Sequence, residues 1–102
     1  MSMFASVEDG EGETLGDVVE LFEIYKAFPS GPDAAGVCLR FAGPEVDAAF
    51  NMRQFKYLRE ELEALRGPKL SAAAAAELEA LLRLVKKAGE ERRRTLRLYG
   101  DF

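Results

Sequence analysis

Residues 53–89 read RQFKYLREELEALRGPKLSAAAAAELEALLRLVKKAG, and this stretch decides the fold. Phe55, Leu58, Leu62 and Leu65 are spaced three, four, three, with Arg59, Glu60, Glu61 and Glu63 in the gaps. That spacing lines the apolar side chains along one face of a helix, so residues 53–66 are expected to be amphipathic and helical. Gly67 is a natural C-terminal cap, and Pro68 blocks continuation. Ser71 is a good N-cap for a second helix, with Leu70 placed to staple it. Leu78, Leu81, Val85 and Ala88 repeat the three, four, three spacing, Leu82 widens that face, and Gly89 ends the helix. The run Ala72 to Ala76 favours helix strongly and is expected to let its first turns lie near the sheet. Two amphipathic helices joined by a short Gly-Pro turn predict an αα-hairpin.

Working outward, Thr95 to Tyr99 reads as a final strand. Val37 to Ala42 reads as a strand with Val37, Leu39 and Phe41 on one face. Gly43-Pro44 turns the chain, and Val46 to Met52 is a further short apolar segment, which suggests an antiparallel meander. Residues 29–36 form a loop by turn chemistry. Residues 18–28 admit two readings. Val, Ile, Phe and Tyr favour a strand, with Val18, Phe22, Ile24 and Phe28 on one face and Val19, Leu21 and Tyr25 on the other. A helix starting at a Thr14–Asp17 capping box is the rival; the strand is preferred on propensity. Residues 8–17 are acidic and Gly-rich and read as a mobile loop, and residues 3–7 as a short strand. The order is β-β-β-β-α-α-β. It predicts an α+β fold, a small antiparallel sheet packed against the helical hairpin.

At 102 residues, 48% of them hydrophobic, the chain suits a single domain spanning 1–102 with one core. No apolar run approaches the roughly 20 residues of a membrane span, so no membrane role is expected. The N-terminus lacks the basic and apolar regions of a secretory signal. One cysteine, Cys38, in an apolar setting suits a reducing compartment, and the expected location is cytoplasmic. Cys38 is expected to be a packed structural residue.

Histidine is absent. No Ser-His-Asp or Cys-His arrangement can be built, and no His-ligated metal site. Glycine-rich phosphate motifs are missing too, so neither an enzyme nor a cofactor is expected. The acidic segment offers Asp9, Glu11 and Glu13 at alternate positions, with Glu20 at the twelfth place of a calcium-type loop. Thr14 stands where that loop requires glycine, and no metal is expected there.

The net charge of -4 is uneven. Residues 1–36 hold eight acidic groups against Lys26, whereas the last third is slightly basic. An acidic front disfavours nucleic acid and suits a protein partner with a basic surface. The expected function is therefore a small protein-interaction module: an acidic inhibitor, immunity-type or adaptor protein. Its expected partner-binding residues are Glu8, Asp9, Glu11, Glu13, Asp17, Glu20 and Glu23. An alternative is a nucleic-acid-associated regulator using Lys86, Lys87, Arg92, Arg93, Arg94 and Arg97, where arginines fork onto phosphates and Tyr99 stacks. A third is a homo-oligomeric component, such as a homodimer pairing through the helical hairpin.

Overall fold

Four antiparallel strands make one sheet: β1 (Met3–Glu8), β2 (Thr14–Leu21), β3 (Ala48–Phe50) and β4 (Thr95–Gly100), in the spatial order β2-β1-β4-β3. The computed structural model describes residues 2–29, 33–43 and 46–100. The period-2 alternation of strands sorts the sheet into two faces. Met3, Ala5 and Val7 of β1 and Leu96 and Leu98 of β4 are buried on one of them. Cross-strand register aligns them: Ala5 lies opposite Leu98 and Val7 opposite Leu96. On the flanks, Leu21 faces Met3 and Phe50 faces Leu96, which extends the same apolar layer to both edges.

That layer is covered by α1 (Phe55–Glu63) and α2 (Ala72–Gly89). Phe55, Leu58 and Leu62 of α1 and Leu78, Leu81 and Val85 of α2 are buried, as their spacing predicts. The chain is thus α+β, an antiparallel sheet packed against a helical hairpin. Leu65 lies just beyond α1 and is half-buried against the core. Ser71 caps α2 by accepting a hydrogen bond from the Ala74 amide at 3.1 Å. Of the alanine run, only Ala74 is buried.

Three local expectations are corrected. First, Gly67 does not cap α1, which ends at Glu63, whereas Gly89 is the last residue of α2 as expected. The chain leaves α1 through tight turns, Leu65 N–H donating to the Leu62 carbonyl and Arg66 N–H to Glu63. Neither Gly67 nor Gly89 has a positive φ; the left-handed residue after α2 is Arg93, with φ of 64°.

Second, residues 18–28 are strand only as far as Leu21, and Ile24–Ala27 form a 3-10 turn. The segment is therefore not a strand covered on both faces: Phe22 is 52% exposed. Thr14 lies in β2 and caps no helix. The acidic segment before it is a tight hairpin turn, not a loose loop.

Third, Val37 to Ala42 is not a strand but a bend followed by a 3-10 turn at Leu39–Phe41. The face expected to be apolar is split. Leu39 and Cys38 are fully buried, while Val37 and Phe41 are 59% and 58% exposed.

Both departures have one cause. Glu77 of α2 accepts hydrogen bonds from the amides of Phe22, Glu23 and Ile24 at 2.9–3.0 Å. Glu61 of α1 likewise accepts from Val37, Cys38 and Leu39, at 2.9, 3.1 and 3.0 Å. Successive amides of a strand point to opposite sides, so three converging on one carboxylate force a turn. Gly36, with φ of 97°, leaves room for this: a Cβ there would stand 2.7 Å from the Glu61 carboxylate.

Candidate functional site

The acidic residues expected to bind a partner fall on the β1–β2 hairpin and along β2. Asp9 is engaged in its own turn. Its carboxylate accepts from the amides of Glu11 and Glu13 at 2.9 and 3.0 Å, and its own amide donates to the Glu13 carbonyl. This side chain closes the hairpin turn, the usual role of an Asp that mimics a backbone turn. Glu8 faces Arg97 at 3.6 Å, and Glu23 pairs with Lys26 at 3.1 Å. Glu11, Glu13, Asp17 and Glu20 are exposed and form no ion pair among the described residues. The hairpin thus concentrates four unpaired carboxylates on a braced turn and the strand that follows.

β2 is an edge strand, and an open edge invites pairing with another chain. Here both ends are closed by α2. The Lys87 ammonium donates to the Leu15 carbonyl at 2.9 Å, and Glu77 holds the Phe22 amide at 3.0 Å. Gly16, with φ of 78°, lies so near Lys87 that a Cβ there would run into the ammonium group. A register shift opposite Ala5 to Val7 breaks the ladder between those ends. The exposed side chains, not the backbone edge, are what this strand offers.

The six basic residues expected to bind nucleic acid do not form one surface. Lys87 is spent on Leu15. Arg94 donates to the Lys87 carbonyl at 2.7 Å and pairs with Glu91 at 3.1 Å. Arg97 lies on the sheet face opposite the helices, bound to Asp47 at 3.1 Å and to Glu8, with its guanidinium 5.0 Å from the Tyr99 ring centre. The hydrogen bond that Arg97 donates to Asp47, with the charges of Asp47 and Glu8, raises the Arg97 pKa. Tyr99 in turn stacks on Phe4 at 5.5 Å. Lys86 lines a groove of ≈ 580 Å³ between α1 and α2, whose floor includes Phe55, Leu82 and Val85. Of the six, Arg92, Arg93 and Arg94 stay together. They line a shallow depression of ≈ 450 Å³ that also takes in Asn51, Met52 and Arg53.

Arg53 joins that depression from the turn before α1, which no local spacing in the sequence signals. The two charge groups also meet in space. Glu8 lies opposite Thr95 in the β1–β4 ladder, and a Cβ on Gly10 would stand 3.2 Å from the Arg93 Cβ. The acidic hairpin and the arginine turn therefore share one end of the sheet.

Cys38 is fully buried, and its thiol is pushed up to about 11 by burial and by the nearby Glu61 carboxylate. Such a thiol is a poor nucleophile at neutral pH. Among the described residues, no group of three His, Cys, Asp or Glu side chains is placed to hold a metal ion, and no helix is long and apolar enough to cross a membrane. Comparison with family models, curated proteins and solved structures finds no match.

Proposed function

We propose that the chain is a cytoplasmic, non-enzymatic protein-binding module of inhibitor, immunity or adaptor type. It docks a basic protein through Glu11, Glu13, Asp17 and Glu20. The observation that carries this reading is that these four carboxylates are exposed on one hairpin and form no ion pair among the described residues. Unpaired exposed charge of one sign favours encounter with an opposite surface. The Asp9 turn and the β1–β2 ladder hold the group in place before binding, which lowers the ordering cost. The unpaired, buried thiol of Cys38 supports a reducing compartment.

Affinity capture from the source cells tests the proposal, run side by side with the native chain and with Glu11→Gln, Glu13→Gln, Asp17→Asn. A basic protein held by the native chain and lost or strongly reduced with the triple variant supports it. A partner held equally by both contradicts it.

A further inference from the structure

The depression between the β3–α1 turn and the α2–β4 turn is lined by four arginines, Arg53, Arg92, Arg93 and Arg94, of which Arg94 is committed to Glu91 and the Lys87 carbonyl. The other three form no ion pair among the described residues, in a chain of net charge -4. Every other arginine near this end of the sheet is neutralised: Arg94 by Glu91, and Arg97 by Asp47 and Glu8.

The arginines are presented from fixed backbone. Asn51 N–H donates to the Gln54 side chain at 2.9 Å, Arg53 N–H donates to the Asn51 side chain at 3.0 Å, and Gln54 N–H closes the turn onto the Asn51 carbonyl. On the other wall, the bond from Arg94 to the Lys87 carbonyl pins the turn to the end of α2. Arg93 sits at φ of 64°, a region that non-glycine residues rarely occupy. Gly10 lies directly against its Cβ.

We propose that Arg53, Arg92 and Arg93 form a binding site for a single phosphate monoester carried by a small molecule. Guanidinium groups match phosphate oxygens with paired hydrogen bonds, and three of them exceed the charge of one phosphate dianion. Asn51 and Thr95 also line the depression and add an amide and a hydroxyl. The setting disfavours a polyanion: the chain carries a net charge of -4, and the acidic hairpin backs onto the arginine turn where Gly10 meets Arg93.

The test titrates the full chain with inorganic phosphate, with phosphoserine and with a short single-stranded oligonucleotide. Calorimetry and thermal shift are read against chloride at matched ionic strength. Saturable binding of phosphate and phosphoserine is expected, with affinity falling about tenfold when Arg92→Gln or Arg53→Gln removes one guanidinium, the scale of a charge-assisted hydrogen bond. Arg93→Gly removes a guanidinium and relieves the left-handed backbone together. It should therefore weaken binding while leaving the chain at least as stable as the native one. Equal response to phosphate and chloride overturns the proposal, and so does unchanged affinity in the Arg92 and Arg93 variants. Oligonucleotide binding that is tighter than phosphoserine and steeply salt-dependent also overturns it, in favour of a nucleic-acid surface.

Discussion

The Glu61 carboxylate lies 3.0 Å from the amide nitrogen of Leu39 and also holds the amides of Cys38 and Val37. One side chain of α1 thereby fixes the path of a segment far away in sequence. Glu77 of α2 does the same for Phe22 to Ile24. Removing either carboxylate leaves three amides without that acceptor, two of them in a part-buried setting. Glu61→Ala and Glu77→Ala should each cost on the order of 2–4 kcal/mol, the sum of lost charged hydrogen bonds and poorly satisfied donors. Urea denaturation measures this. A loss under about 0.5 kcal/mol, the scale of an ordinary surface substitution, contradicts the anchoring role.

The hairpin core makes a second prediction. Leu62 and Leu81 are 1% and 0% exposed and share one cluster with the sheet. Replacing either by Ala should cost on the order of 2–5 kcal/mol, with the spread set by how far the cavity collapses. Both variants should keep the native far-UV circular dichroism at low temperature and melt earlier.

Cys38 supplies a pH prediction. Its thiol moves from an ordinary 9.0 up to about 11 in the folded chain, through burial and then the Glu61 charge. Folding therefore favours the protonated thiol. Stability from this group is fully present below the unfolded value near 9 and is lost as pH rises toward 11. Alkylation by iodoacetamide at pH 8 should be slow in the native chain and fast in denaturant. A native rate equal to that of a free thiol contradicts the burial. Glu61→Gln removes the second cause and should speed native alkylation at high pH, provided the fold is retained.

The Arg66–Glu79 pair ties the turn after α1 to α2, with contacts of 2.7 and 2.9 Å. The Arg66 hydrogen bond, aided by its charge, lowers the Glu79 pKa. A lowered carboxylate stabilises the fold above its unfolded value, and that contribution disappears as pH falls through the folded one. A proton-detected titration should show Glu79 titrating at lower pH in the native chain than in Arg66→Ala. Because both side chains are about half exposed, the effect on melting should be small and weaken with salt.

The helices were legible in the sequence because a repeated apolar spacing depends only on neighbours within a few turns. Ser71 and its bond to Ala74 belong to the same local class. The 3-10 turns at 24–27 and 39–41 were not legible. Their cause is a carboxylate 53–55 residues away in one case and 22–24 in the other. Propensity weighs the Val, Ile, Phe and Tyr of 18–28 and the Val, Leu and Phe of 37–42, and favours strands in both. Gly89 ends α2 as its place in the sequence suggests, but the left-handed position beyond it falls on Arg93, which no local spacing signals. For the candidate site, the acidic residues could be named, but their division could not. Asp9 is consumed by its own turn, and Glu8 is claimed by an arginine on β4, a pairing set by the sheet order.

The central claim, docking through the acidic hairpin, is tested most directly by association kinetics with the captured partner, at low and at physiological salt. For the native chain the rate should be fast and fall steeply with salt, because steering by exposed charge is screened within about 8 Å at physiological ionic strength. With Glu11→Gln, Glu13→Gln, Asp17→Asn the low-salt rate should drop about tenfold or more and lose most of its salt dependence, while the melting temperature stays unchanged. An association rate and salt slope identical to those of the native chain would contradict the claim.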